Sequence, residues 1–443
     1  MKILIPPNFL QNILFRYPHL LEGTAVAAAI ALIAALAILA PACEQDLGLQ
    51  IICSYTEIII FIPLKSCMTQ TTASPLQSSP SQRLYSLDAL RGFDMFWIIG
   101  ADEICGILAK ITGSPFLKAI SVQFEHPDWN GFHFEDLIFP LFLFIAGVAT
   151  PYSVGRELEK GTSRNKLLIR VIRRGLILVL LGIIYNNGLH LRPLAETRLP
   201  SVLGRIGIAY MFANIIYLYT KQKGQIIWFC SLLIGYWLLL LFNSAPGFHH
   251  GDLTMEGNFA SYIDRSIIPG KLYLGIHDPE GLVSAIPAIS TGLLGILTGN
   301  LLKHSPLQPT AKATRMALTG VVFIVLAQLW NLVFPINKNL WTSSFVLQVG
   351  GISLLLLAAF YYIIDVKGYK KWAFFFSVIG MNSILIYMSG RVINWDYATK
   401  GFFQWLLQIV GNPWNDLVYI LCFLAVKWAF LYFMYKKKTF LRV

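Results

Sequence analysis

The sequence predicts an all-α protein, a polytopic membrane bundle of about ten transmembrane helices, with a possible extra helix at the N-terminus. Three observations predict it. Of 443 residues, 56% are hydrophobic and only 13% charged, a balance outside the soluble range. Apolar windows of about 20 residues, enough to cross a bilayer, recur with only short loops between them. The basic residues gather in alternate loops, as topology bias requires, so the net charge of +12 needs no nucleic acid to explain it.

Residues 1–67 are unlike the rest. Residues 24–41 ("TAVAAAIALIAALAILAP") read either as an extra helix or as sequence ahead of a mis-assigned start, with Met68 the true beginning. Residues 68–85 are a polar Ser/Thr/Pro lead-in of disordered type. Residues 86–443 form the transmembrane domain, with spans expected at roughly 88–109, 134–155, 167–186, 202–220, 225–243, 281–302, 314–334, 341–364, 372–390 and 414–435. Residues 401–410 are a shorter apolar run of interfacial or re-entrant type. Of the basic residues in and around the core, twenty fall on one side, led by Arg156 to Arg174 and Lys436 to Lys438, against nine on the other. The richer side faces the cytoplasm. Six cysteines form no CxxC pair, so neither a disulfide framework nor a zinc site is expected.

On this topology the polar outliers collect outside. His126, Asp128, Trp129, Asn130 and Asp136 lie in "HPDWNGFHFED" at the mouth of the second span. Asp102 sits in the outer half of the first. Arg198 and Arg205 open the fourth span, Asp278 and Glu280 the sixth, and Asn337 and Asn339 the eighth. Ionisable groups at membrane depth are costly and commonly mark a site. A solvated loop capping a helix is the plainer alternative for any one of them. The acids and histidines match no compact metal motif, so no metal is expected.

Seven stretches resemble, in order, the heparan-alpha-glucosaminide N-acetyltransferase family. They are "SLDALRGF" (86–93), "HPDWNGFHFEDLIFPLFLFIAG" (126–147), "RLPSVLGRIGIAY" (198–210), "DPEGLVSAIPAISTGLLG" (278–295), "INKNLWTSSFVL" (336–347), "GMNSILIY" (380–387) and "YKKK" (435–438). The resemblance does not reach residues 1–80, and the large lumenal domain of lysosomal members is not expected here. It implies an acetyl-CoA-dependent acyltransferase that passes acetyl from the cytoplasmic side to the amine of a glucosamine-type sugar outside. It makes His126 the catalytic histidine, as base or as acetyl carrier, and aligns Asp102 with a family asparagine that hydrogen-bonds at the site. An ionised carboxylate cannot donate as that amide does, so Asp102 is expected to orient His126 or to hold an ammonium. Asn382 joins the substrate-binding set through "GMNSILIY". The expected partners are acetyl-CoA, an amino-sugar acceptor and the bilayer, with a homodimer left open and no nucleic acid. The expected location is a bacterial inner membrane. Two other readings stand beside this one: an O-acetyltransferase of an envelope polysaccharide, and a sugar transporter. A transporter calls for charged mid-membrane sites on broken helices in repeated halves, and no such repeat is read here.

Overall fold

The computed structural model describes residues 84–188 and 193–441. The segment 24–41 and the polar lead-in up to residue 83 lie outside the described residues. Every regular element among the described residues is helical; the one β-bridge, Ser244 with Asn258, is isolated. In lipid a backbone must satisfy its own polar groups, and a helix does this within one segment.

In chain order the helices are α1 (Tyr85–Phe96), α2 (Glu103–Thr112), α3 (Pro115–Val122), α4 (Ile138–Thr150), α5 (Arg156–Glu159), α6 (Arg164–Asn187), α7 (Val202–Tyr219) and α8 (Gln222–Phe242). They continue with α9 (Phe259–Ile267), α10 (Ala285–His304), α11 (Pro309–Asn331), α12 (Ser343–Phe360), α13 (Ala373–Met381), α14 (Ser383–Ser389), α15 (Trp395–Val410) and α16 (Asn415–Lys436).

Seven helical stretches among the described residues are long and apolar enough to cross a membrane: Phe134–Glu159, Val202–Tyr219, Gln222–Phe242, Ala285–His304, Pro309–Asn331, Ser343–Val366 and Asn415–Lys436. Each matches an expected span. The other three of the expected ten depart for separate reasons. The first is broken at Gly100, whose φ of 123° takes it out of the helix between α1 and α2. The third is one continuous helix, α6, but Arg164, Lys166, Arg170, Arg173 and Arg174 load its first half with charge. The ninth is divided at Asn382 into α13 and α14. The 401–410 run lies within α15, a helix of 16 residues. At 1.5 Å per residue it is about 24 Å long, short of the roughly 30 Å hydrocarbon core.

The bundle is built from close helix pairs. A Cβ on Gly147 of α4 would collide with the backbone of Gly292 in α10, and one on Gly295 with the backbone of Phe144. The same holds for Gly175 and Gly207 between α6 and α7, Gly320 and Gly351 between α11 and α12, and Gly92 and Gly380 between α1 and α13. Small residues at such crossings let backbones approach where no hydrophobic drive separates protein from lipid. Around these seams lies a core that includes Leu141, Phe144, Ala209, Leu293, Phe345 and Val349.

The two ends of the bundle differ. At one end the Tyr85 and Ser86 N–H groups donate to Asp365, and Lys303 bridges Glu159 at 2.7 Å and the Pro151 carbonyl at 2.8 Å. At the other end the loops 123–137, 193–201, 243–284 and 335–342 fold over the mouths of α4, α7, α10 and α12.

Candidate active site

The loop before α4 is closed on itself. The Glu135 N–H donates to the Gln123 carbonyl at 2.9 Å, and His133 Nδ1 meets the Glu125 carbonyl at 2.6 Å. Asp136 closes a capping box: its Oδ2 accepts from the His133 N–H at 3.0 Å. That fixes the carboxylate, which is fully buried, so that Oδ1 reaches His126 Nδ1 at 2.8 Å. A carboxylate on Nδ1–H orients an imidazole and leaves Nε2 as the reactive nitrogen. The His126 side chain is about half exposed, at 51%, so Nε2 can meet a ligand from outside.

The third member comes from far along the chain. Lys338 places Nζ 3.0 Å from His126 Nε2, 3.2 Å from Nδ1 and 3.5 Å from Asp136 Oδ1. Nearly equal reach to both ring nitrogens sets the ammonium against the ring rather than in line with one lone pair. Two hydrogen bonds dock the 335–342 loop that carries it. The Gly131 N–H donates to the Ile336 carbonyl at 2.8 Å, and Asn337 Nδ2 donates to Asn130 Oδ1 at 3.0 Å. Gly131 has φ 128°, a conformation that only glycine adopts cheaply, so "WNG" is the turn that brings the two loops together. Asn337 also accepts from the Leu340 N–H, which fixes the backbone just past Lys338.

A second polar cluster lies on the neighbouring loops, linked to this one through Trp129. Arg198 grips Asp278 with two bonds of 2.8 Å, also donates to Glu280, and stacks on Tyr273 with its guanidinium carbon 4.5 Å from the ring centre. Burial pulls the Arg198 guanidinium down, but the two carboxylates more than offset this and hold it above its usual value. Burial likewise raises Glu280 despite Arg205 and Arg198. Arg205 is buried, donates to Ser284 and to the Gly281 carbonyl, and stacks on Trp341. Asp264 on α9 accepts from the Leu282 N–H at 2.9 Å; burial pushes it up to about 6. His277 is buried, its Nδ1 2.7 Å from Ser261 Oγ, and burial pulls it down to about 4 against the pull of Asp278. Trp129 ties the two clusters: its Nε1 donates to the Leu253 carbonyl at 2.9 Å, and its ring meets His277 edge to face.

The expected site residues therefore divide. His126, Asn130, Asp136 and Asn337 meet in one cluster, with Trp129 at its edge. Asp128 is exposed beside it and Asn339 half-buried behind it. Arg198, Asp278 and Glu280 pair with one another, and Arg205 bonds Ser284 and the Gly281 carbonyl beside them. Asn382 sits elsewhere: its amide bonds the Thr439 carbonyl and the Leu441 N–H, holding the C-terminal tail beyond the basic end of α16. Asp102 makes no hydrogen bond with His126. Its charged neighbours include Lys427 of α16, Glu103 and Glu135, and the carboxylate on His126 Nδ1 is that of Asp136. Lys338 escaped the sequence reading although both its neighbours were chosen. It was counted only as one outer-loop cation, and its contact with His126 spans 212 residues.

Helices long enough to span define the class, a multi-pass membrane protein, and a His–Asp–Lys cluster lies at one end of the bundle. Residues 83–249 match a family described as a domain of unknown function, DUF5009. The heparan-alpha-glucosaminide N-acetyltransferase of Mus musculus is 30% identical over 84% of this chain and 63% of that protein. The Homo sapiens protein of the same name is 28% identical over 82% of this chain and 60% of that protein. The chain is thus a relative of these acetyltransferases, as the seven motifs indicate, and it spans less than two thirds of the length of either.

Proposed function

We propose that this protein transfers acetyl from acetyl-CoA to the amine of a glucosamine-type sugar at the extracytoplasmic face of the membrane, and that the membrane is a bacterial inner membrane. The observation that carries the reading is the His126–Asp136 pair with Lys338 against the ring. The names of the two relatives point to the same chemistry.

The acceptor arrives as an ammonium and must lose a proton before it can attack. The Lys338 charge beside it disfavours a second cation, which helps that loss. The free amine attacks the thioester carbonyl. His126 Nε2 takes the remaining acidic N–H proton as the C–N bond forms, and Asp136 holds the imidazolium through Nδ1. Negative charge develops on the thioester oxygen, and Lys338 donates to it. The C–S bond breaks, and the imidazolium returns its proton to the thiolate. The products are amide, CoA thiol and one proton released to water. Asp102 cannot act as the oxyanion donor while ionised; Lys338, 3.0 Å from His126 Nε2, supplies a donor there.

Labelled acetyl-CoA and purified protein test this against a panel of amino sugars and neutral sugars. Acetylation of the amino sugars alone is expected. Acetylation of hydroxyls in sugars without an amine would instead support the O-acetyltransferase, and sugar uptake by proteoliposomes without acetyl-CoA the transporter. Lys338→Gln should reduce transfer by about 10²-fold, the scale for one oxyanion donor, and leave acetyl-CoA binding intact. Transfer at the normal rate in Lys338→Gln would remove the lysine from the mechanism.

A further inference from the structure

Lys338 stands where an acceptor amine would have to stand. Its Nζ lies 3.0 Å from His126 Nε2 and 3.2 Å from Nδ1, so a primary amine is already within reach of the nitrogen that takes the acceptor's proton. Among the described residues no other lysine lies at hydrogen-bond distance from a histidine ring.

The stem of this lysine is held as well as its head. The side chain is 12% exposed, and Nζ lies 5.9 Å from the centre of the Phe139 ring. The backbone around it is docked through the Ile336 carbonyl, the Asn337 side chain and the Leu340 N–H. A reactant fixed in this way needs no encounter step, and well-oriented intramolecular reactions reach effective concentrations of about 10⁵ M or more. Lys118 and Lys271 are exposed and have no histidine beside them.

Two restraints keep the amine from reacting. Asp136 Oδ1, 3.5 Å away, stabilises the ammonium, which has no lone pair to attack with, and Glu135 and Glu280 add to that field. A bound acceptor amine also competes for the same thioester. When the donor is bound and the acceptor is absent, only the first restraint remains.

We infer that Lys338 is a self-acetylation site, modified by the protein's own acetyl donor when no acceptor amine is bound. The inference rests on the acetyl-transfer reading. The Lys338 ammonium first loses a proton to water. Neutral Nζ then attacks the thioester carbonyl, and His126 Nε2 takes an N–H proton as the N–C bond forms. The C–S bond breaks, and the imidazolium returns that proton to the thiolate. The products are Nε-acetyl-lysine, CoA thiol and the proton released at the start. The positive charge beside His126 is then gone, and the oxyanion donor with it. The modified side chain is neutral, as in Lys338→Gln, so the same loss of about 10²-fold in transfer is expected.

The test incubates purified wild-type protein with labelled acetyl-CoA and no sugar, and follows lysine acetylation by mass spectrometry. Lys338 should be labelled about 10²-fold faster than Lys118 and Lys271, the scale of general-base help. Glucosamine should protect it, and the loss of transfer activity should match the fraction of Lys338 modified. His126→Ala, with its fold checked by acetyl-CoA binding, should slow labelling of Lys338 and leave Lys118 and Lys271 as they were. A guanidinium does not lose its proton, so the residual transfer by Lys338→Arg should not decline during the same incubation. Labelling of Lys338 no faster than that of Lys118 and Lys271 overturns the inference, as does labelling that neither glucosamine nor His126→Ala slows. Either result leaves sugar acetylation untouched. Acetylation of neither glucosamine nor Lys338 overturns the transfer reading itself.

Discussion

His126 and His277 lie at the same end of the bundle, and Trp129 stands between their loops, yet their surroundings differ. His126 is half exposed, with a buried carboxylate on one nitrogen and an ammonium against its ring. His277 is buried, faces a serine hydroxyl, and is held neutral down to about pH 4. A proton carrier at neutral pH needs access to ligand and a partner for its charged form; only His126 has both. The difference lies in what the fold places around each ring.

The strongest way to break this contrast is His126→Ala. Acetyl transfer should drop by about 10²-fold or more, the usual scale of general-base help, with acetyl-CoA binding retained. A near-normal rate in folded protein would reduce the histidine to a loop residue. Asp136→Asn keeps the shape and removes the charge; a loss of about tenfold to a hundredfold in kcat is expected, the worth of one hydrogen bond to a charged group. An unchanged kcat would separate the carboxylate from the chemistry.

Smaller effects sharpen the contrast. His133→Ala loses one bond to the Glu125 carbonyl, and transfer should stay within about fivefold of normal, matching roughly one hydrogen bond. His277→Gln should leave transfer at pH 7.5 almost unchanged and alter the response to acid. Its folded value of about 4 lies below the unfolded value near 6.5, so its contribution to stability is present above about pH 6.5 and is lost as pH falls toward 4. Asp264 has the opposite sign, because its raised value of about 6 favours the folded state at low pH and loses that as pH rises through 6. Removing the histidine leaves the aspartate alone. Relative to wild type, the variant's melting midpoint should therefore gain about 2–5 °C between pH 7.5 and pH 5. A parallel shift in both proteins would contradict the buried, neutral state of His277.

Much of the fold was legible because apolar length is a local property. The seven spanning stretches could be read without any contact information. The break at Gly100 was not, since a single glycine in "WIIGAD" leaves the hydropathy window intact; the acid pair directly after it was the available signal. In the site, His126 and Asp136 were legible together, being ten residues apart on one loop. Lys338 was not, because no local pattern distinguishes a lysine that docks across the bundle from one in water. Arg198, Arg205, Asp278 and Glu280 were picked for their charge, but sequence carries no record of whether charges meet one another or a ligand.

The paired glycines have a mechanical consequence. Where two helices touch backbone to backbone, neither can slide or part without breaking the seam, so each pair is a stiff plank and compliance is confined to the joints between planks. One such joint is the apolar crevice where Met95, Phe142, Ile206 and Tyr387 face one another across four helices. Widening that crevice is a matter of shifting whole planks, so its width and the rigidity of the bundle are set by the same few missing side chains.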